Sequence, residues 1–180
     1  MKSTAKILAS VVLLYICFST LLENSTKTSS PKIADEQYSF ELVNRNSPPS
    51  IQMSYYIQKY AKEYNIPINY AFGIAYAETH FEGPYHWKYN PHQVSCAGAV
   101  GPMQIMPSTG KGMWKEKDVT RDMLLNDIEF NVQTSMKLLR KLHDRYGDWK
   151  LVFGCYNTGR PCVNDYAIRV FNFSPAIKLA

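Results

Sequence analysis

Between Ile128 and Tyr146 the chain carries one apolar stripe: Ile128, Val132, Ser135, Met136, Leu139, Leu142 and Tyr146. The steps along it are mostly of three and four residues, which places these side chains on one face of an α-helix. A helix of that length with one apolar face must bury it against other elements, so this segment sets the class of the whole fold. Gly147 is placed to cap it, and Asp148 to start another short helix over Trp149–Tyr156. Helical spacing also runs over Ile51–Tyr64, which Asn65-Ile66-Pro67 breaks, and over Ile68–Phe81. Pro107 can open a short helix and Tyr166–Phe171 a closing one. Strand-like alternation is nearly absent, so the expected class is mainly α, with a small β-hairpin near residues 93–104.

The 46% hydrophobic content is not all core. Lys2 and Lys6 precede Ile7–Leu22, sixteen residues without a charge. That pattern reads as an export signal or an N-terminal membrane anchor over residues 1–22. Residues 23–50, rich in Ser, Thr, Asn, Lys and Pro, read as a polar tether. Within them Tyr38–Val43 alternates briefly, as a short strand or docking segment would. The helical domain is then expected over residues 51–180, and an exported, periplasmic or cell-envelope location follows. Residues 51–180 carry fifteen Lys and Arg against eleven Asp and Glu. This modest excess, with no basic run interleaved with aromatics, argues against nucleic acid as a partner.

Three segments carry chemistry. Glu78 is the lone charged residue of Asn69–Phe81, on the same helix face as Ile74 and Ala71. A carboxyl on such a face is disfavoured as an anion, so its pKa rises, which suits a general acid near neutral pH. Solvent exposure at the helix end, or a salt bridge, is the alternative. In Ser95–Thr109, Gly98 and Gly101 permit a close-approach turn, after which Gln104 can offer its amide to a ligand. In Phe153–Arg160, the Tyr156 hydroxyl and the Asn157 amide can hydrogen-bond a carboxyl and a sugar, or else form a plain helix C-terminus.

Glu78-Thr79, then Gly101-Pro102-Met103-Gln104 with Met106-Pro107, then Cys155-Tyr156-Asn157-Thr158-Gly159 stand in order, with the long amphipathic helix between the second and third. Together they resemble the lysozyme-like domain of the soluble lytic transglycosylases. That family is marked by a helix ending Glu-Ser, by Gly-Leu-Met-Gln with a Met-Pro turn, and by Ala-Tyr-Asn-x-Gly. The likeness spans about residues 55–172. It implies a lysozyme-like helical domain that cleaves the β-1,4 bond between N-acetylmuramic acid and N-acetylglucosamine in peptidoglycan glycan strands, leaving a 1,6-anhydromuramyl end. It implies further that Glu78 is the catalytic acid and then base, that Tyr156 orients it, that Gln104 and Asn157 hold sugars, and that Met103 lines the cleft. No cofactor or metal is implied. Thr79, Pro102 and Cys155 depart from the family's Ser, Leu and Ala.

Two alternatives share the fold: a hydrolytic muramidase with a second acid, for which Glu82 and Asp118 are the candidates, and an inactive wall-binding scaffold. The single small domain suggests local gap-opening for an envelope-spanning secretion or transfer complex, with membrane contact only through the N-terminal segment. Cys96, Cys155 and Cys162 cannot all pair within one chain, and a structural disulfide, Cys155–Cys162 or Cys96–Cys155, is expected rather than a catalytic thiol. His80, His86 and His92 match no usual zinc spacing. Tyr85, His86, Trp87 and Tyr89 form a loop whose rings either stack on sugar faces or pack within the loop.

Overall fold

The structure, a computed structural model, describes residues 43–174. The apolar N-terminal run, most of the tether and Tyr38–Leu42 lie outside the described residues. Among the described residues seven α-helices follow one another: α1 Pro49–Glu63, α2 Ile68–Thr79, α3 Pro107–Met113, α4 Arg121–Asn126, α5 Ile128–Tyr146, α6 Trp149–Thr158 and α7 Asp165–Phe171. Among the described residues there is no sheet, and no helix is long and apolar enough to cross a membrane.

Helix α5 is the axis on which α1, α3, α4 and α6 pack, while α7 lies against α6 and α2. Its stripe explains this. Val132, Ser135, Met136 and Leu139 are fully buried, with Ile128 close behind. The helix starts where the Asp127 carboxylate accepts the Phe130 N–H, and it stops at Gly147, whose φ of 70° is left-handed. Asp148 then caps α6 by accepting the Lys150 N–H. Tyr70 of α2 ties three helices together, with its ring 5.3 Å from Trp149, 5.1 Å from Phe153 and 5.6 Å from Phe171.

Several boundaries differ from the sequence reading. Helix α1 begins at Pro49, two residues early, because proline suits the first turn and the side chain of Gln52 turns back to donate to the Arg45 and Ser47 carbonyls. Helix α2 ends at Thr79 rather than Phe81, because His80 adopts a left-handed φ of 55°. That turn swings Phe81 into the core, stacked on Phe72. Helix α4 has no counterpart in the reading: six residues are too few for periodicity, and its mark is the Thr120 cap, which accepts the Met123 N–H. The expected hairpin is a double reversal with isolated antiparallel bridges Val94–Val100 and Val100–Ile105.

Candidate active site

Glu78 sits in the last turn of α2, half-buried. Burial pushes its pKa from the ordinary 4.5 up to about 7, against the opposing pull of one hydrogen bond. That bond comes from Tyr166, whose hydroxyl donates to Glu78 Oε1 at 2.5 Å. Tyr166 is buried in the first turn of α7, which is capped by the Asn164 side chain accepting the Ala167 N–H. Burial and the nearby Glu78 charge hold the Tyr166 phenol far above its usual range. It therefore remains a hydrogen-bond donor to the carboxyl.

Tyr156 does not fill the role expected of it. Its hydroxyl donates to the Met103 carbonyl at 2.7 Å and pairs with Ser135 Oγ at 2.9 Å. It is near enough to Glu78 for the carboxylate charge to raise its pKa further, yet its bonds support the glycine turn. The reason lies in packing: α6 rests on α5, which supplies Ser135, so the hydroxyl of Tyr156 meets that helix and the turn beside it.

The turn is held at every peptide. Thr79 Oγ1 donates to the Pro102 carbonyl at 2.8 Å, and Asn131 Oδ1 accepts the Met103 N–H at 2.9 Å. Asn131, wholly buried in α5, also donates to the Val100 and Leu124 carbonyls, at 3.0 and 2.7 Å. Gly101 has a φ of 78°, and a Cβ there would strike Asn131 Nδ2 and the Leu124 carbonyl. The glycine is thus required by conformation and by close approach together. Within the protein, Pro102 takes part in this turn through its carbonyl, and the donor that fixes it is the N–H of the next residue.

Met103 is fully buried and belongs to the core, so its side chain does not line an open surface as expected; the exposed methionine of this segment is Met106. Gln104 sits at a positive φ of 49°, and its Nε2 donates to the Gly101 and Gln93 carbonyls at 2.8 and 3.1 Å. In this state its amide nitrogen stiffens the turn. Asn157 is exposed at the end of α6, where its Oδ1 accepts from Asn164 Nδ2 at 3.2 Å. This places it on the loop leading to Tyr166. Glu82 and Asp118 are both exposed.

The expected disulfide does not form: Cys96, Cys155 and Cys162 are all free thiols. Cys155 is buried on α6, Cys96 is exposed, and Cys162 Sγ lies 3.6 Å from Thr158 Oγ1 where its strand of chain crosses Gly154. Among the described residues no three His, Cys, Asp or Glu side chains group to hold a metal ion. His80 closes α2, and His92 Nδ1 lies 3.1 Å from the Leu125 carbonyl.

Sequence reasoning missed Tyr166 and Asn131. Both had a signal. Tyr166 and Val170 share a helix face, and a tyrosine buried there needs a partner for its hydroxyl. Asn131 falls three residues after Ile128 and four before Ser135, so a polar amide stands on the apolar stripe and must be satisfied.

Comparison with known proteins bears on the family and the fold. The sequence model of the transglycosylase SLT domain matches residues 55–176. Over 72 residues, 39% of this chain and 16% of the relative, the sequence is 31% identical to the membrane-bound lytic murein transglycosylase D of Escherichia coli strain K12. The fold resembles the 70 kDa soluble lytic transglycosylase of Escherichia coli at a TM-score of 0.51, with 24% identity over 67% of this chain. A 70 kDa soluble lytic transglycosylase in complex with bulgecin A matches equally, at a TM-score of 0.51. The chain spans 16% and 20% of the length of these proteins, so the likeness is confined to one part of each. A family match over most of the chain, on a helical frame that presents Glu78 beside a clamped glycine turn, makes this chain a member of the transglycosylase SLT domain family.

Proposed function

We propose that this chain is a peptidoglycan lytic transglycosylase. One observation carries the reading: a half-buried carboxyl with its pKa pushed to about 7, gripped by a tyrosine, while Glu82 and Asp118 stand in solvent. Hydrolytic glycosidases pair two carboxyls, one of them to activate water or attack the sugar. A single glutamate serves both halves of the reaction if the substrate supplies its own nucleophile.

In the first half, protonated Glu78 gives its proton to the oxygen bridging the N-acetylmuramic and N-acetylglucosamine rings, and the bond from that oxygen to the muramic C1 breaks. In the second, the Glu78 carboxylate takes the proton of the muramic C6 hydroxyl as O6 bonds to C1. The 1,6-anhydro ring closes, no water is consumed, and Glu78 ends as it began. A pKa near 7 suits a group that must donate and then accept at neutral pH. Tyr166 fixes the carboxyl and is the residue that orients it. In this reading Gln104 meets the sugars through its side-chain oxygen and Asn157 through its exposed amide.

The same reading places the chain in the cell envelope, with residues 1–22 as signal or anchor, 23–50 as tether and peptidoglycan strands as substrate. An envelope-spanning secretion or transfer complex is the partner that would use local wall opening. Digestion of purified peptidoglycan followed by mass analysis tests the reaction. Anhydro-ended muropeptides that vanish with Glu78→Gln are expected, and products with reducing ends would mean that water is the nucleophile.

A further inference from the structure

Two rings of the loop that follows α2 have no part in the site described above. Trp87 and Tyr85, at 65% and 59%, are the most exposed large apolar side chains among the described residues. They pack edge to face, with centroids 6.0 Å apart and planes at 65°. The loop that carries them is bonded along its length. The hydroxyl of buried Ser50 donates to the Pro84 carbonyl at 2.9 Å, Trp87 N–H donates to the Tyr85 carbonyl at 2.9 Å, and Tyr89 N–H donates to the His86 carbonyl at 2.9 Å. Tyr89 points the other way. It is buried, its ring 4.9 Å from Phe81, and its hydroxyl meets Thr79 Oγ1 at 2.8 Å. One side of the loop is thus fastened to the residue next to Glu78, and the other side presents two rings to solvent.

We propose that Tyr85 and Trp87 form a glycan-binding corner that holds a sugar ring of the strand beyond the bond cleaved at Glu78. The inference rests on the transglycosylase reading for its ligand. The C–H face of a pyranose and the methyl of its N-acetyl group are apolar, and each can lie on an aromatic surface. Planes at 65° make a corner, where one ring takes the sugar's face and the other meets its edge. Because the loop's own hydrogen bonds fix the frame, little further ordering is needed on binding. Exposed rings would suit a lipid surface as well, but the fastening through Tyr89 to Thr79 favours the substrate that Glu78 acts on.

Binding to stem-peptide-free glycan strands, measured in the Glu78→Gln background so that nothing is cleaved, tests this. Removing both rings (Tyr85→Ala with Trp87→Ala) should weaken binding about tenfold, and Trp87→Phe, which keeps a ring, should retain most of it. Both side chains are exposed, and an unchanged thermal midpoint would confirm that the fold is intact. Strand affinity unchanged within about twofold, or loss of binding to phosphatidylglycerol vesicles in place of strands, overturns the corner. Failure of the reaction assignment shows separately, as reducing-end products from the unaltered chain, and leaves the ring-dependent binding to stand or fall by itself.

Discussion

At the scale of single residues, the Glu78–Tyr166 pair governs how this protein responds to pH. Folding raises the Glu78 pKa from 4.5 to about 7. Below the lower value both folded and unfolded chains hold the proton, and the group costs nothing. Between the two values the unfolded chain gives up the proton while the folded chain holds it, so stability falls as pH rises across this window and the loss is complete above the upper value. Glu78→Gln should therefore stabilise the protein above neutrality by up to about 3 kcal/mol, with the gain fading towards about pH 4.5, as melting curves across pH would show. The same variant should lower turnover by roughly a thousandfold. Tyr166→Phe removes the bond that pulls the pKa down, so the alkaline limb of the activity profile should move to higher pH while turnover falls. A limb that stays in place would mean that Tyr166 only packs. The importance of Glu78 could be read from its neighbours along the helix. Its partner could not, because the two residues lie 88 positions apart and no spacing rule reaches that far.

Single helices matter here through what their buried faces must satisfy. Asn131 puts two hydrogen bonds from the stripe of α5 into the glycine turn and a third onto the Leu124 carbonyl of α4. Asn131→Ala strips the side-chain partner from the Met103 N–H and the Leu124 carbonyl, while the Val100 carbonyl keeps its bond from the Ile105 N–H, and should cost roughly 3 kcal/mol in chemical unfolding. Leu139→Ala, on the same face and fully buried, should cost about 2–5 kcal/mol as a cavity loss. The two differ in kind. Asn131→Ala should also lower activity in the fraction that stays folded, because the turn faces Thr79 and Tyr156, whereas Leu139→Ala should leave the folded fraction near full activity. The long helices were legible because α5, α1 and α2 repeat the helical period over several turns. Helix α4 was not, since its six residues make less than two turns and its start rests on one threonine cap. The thiols were misjudged for a related reason. Cysteine number and compartment say that a bridge can form, but the tertiary placement of the thiols decides it, and Cys96, Cys155 and Cys162 are free.

Across the described molecule, the site exists because α2, α6 and α7 are locked by shared aromatic packing. Tyr70 contacts Trp149, Phe153 and Phe171, so it holds the helix bearing Glu78 to the helix bearing Tyr166. Tyr70→Ala should destabilise the fold by roughly 3 kcal/mol, and in the folded fraction the Glu78 titration, followed by carboxyl NMR, should shift as the Tyr166 bond loosens. An unchanged titration would show that α2 and α7 keep their register without that ring. The sequence by itself determined the helical class, the central place of Ile128–Tyr146 and the candidacy of Glu78, because helical periodicity and burial of a lone carboxyl are local properties. The tertiary structure alone decided that Tyr166 rather than Tyr156 holds the glutamate, that Met103 is core, and that Asn131 clamps the turn. A hydrogen bond is directional and about 3 Å long, so its partner is chosen by how the helices pack and not by how far apart the residues stand along the chain.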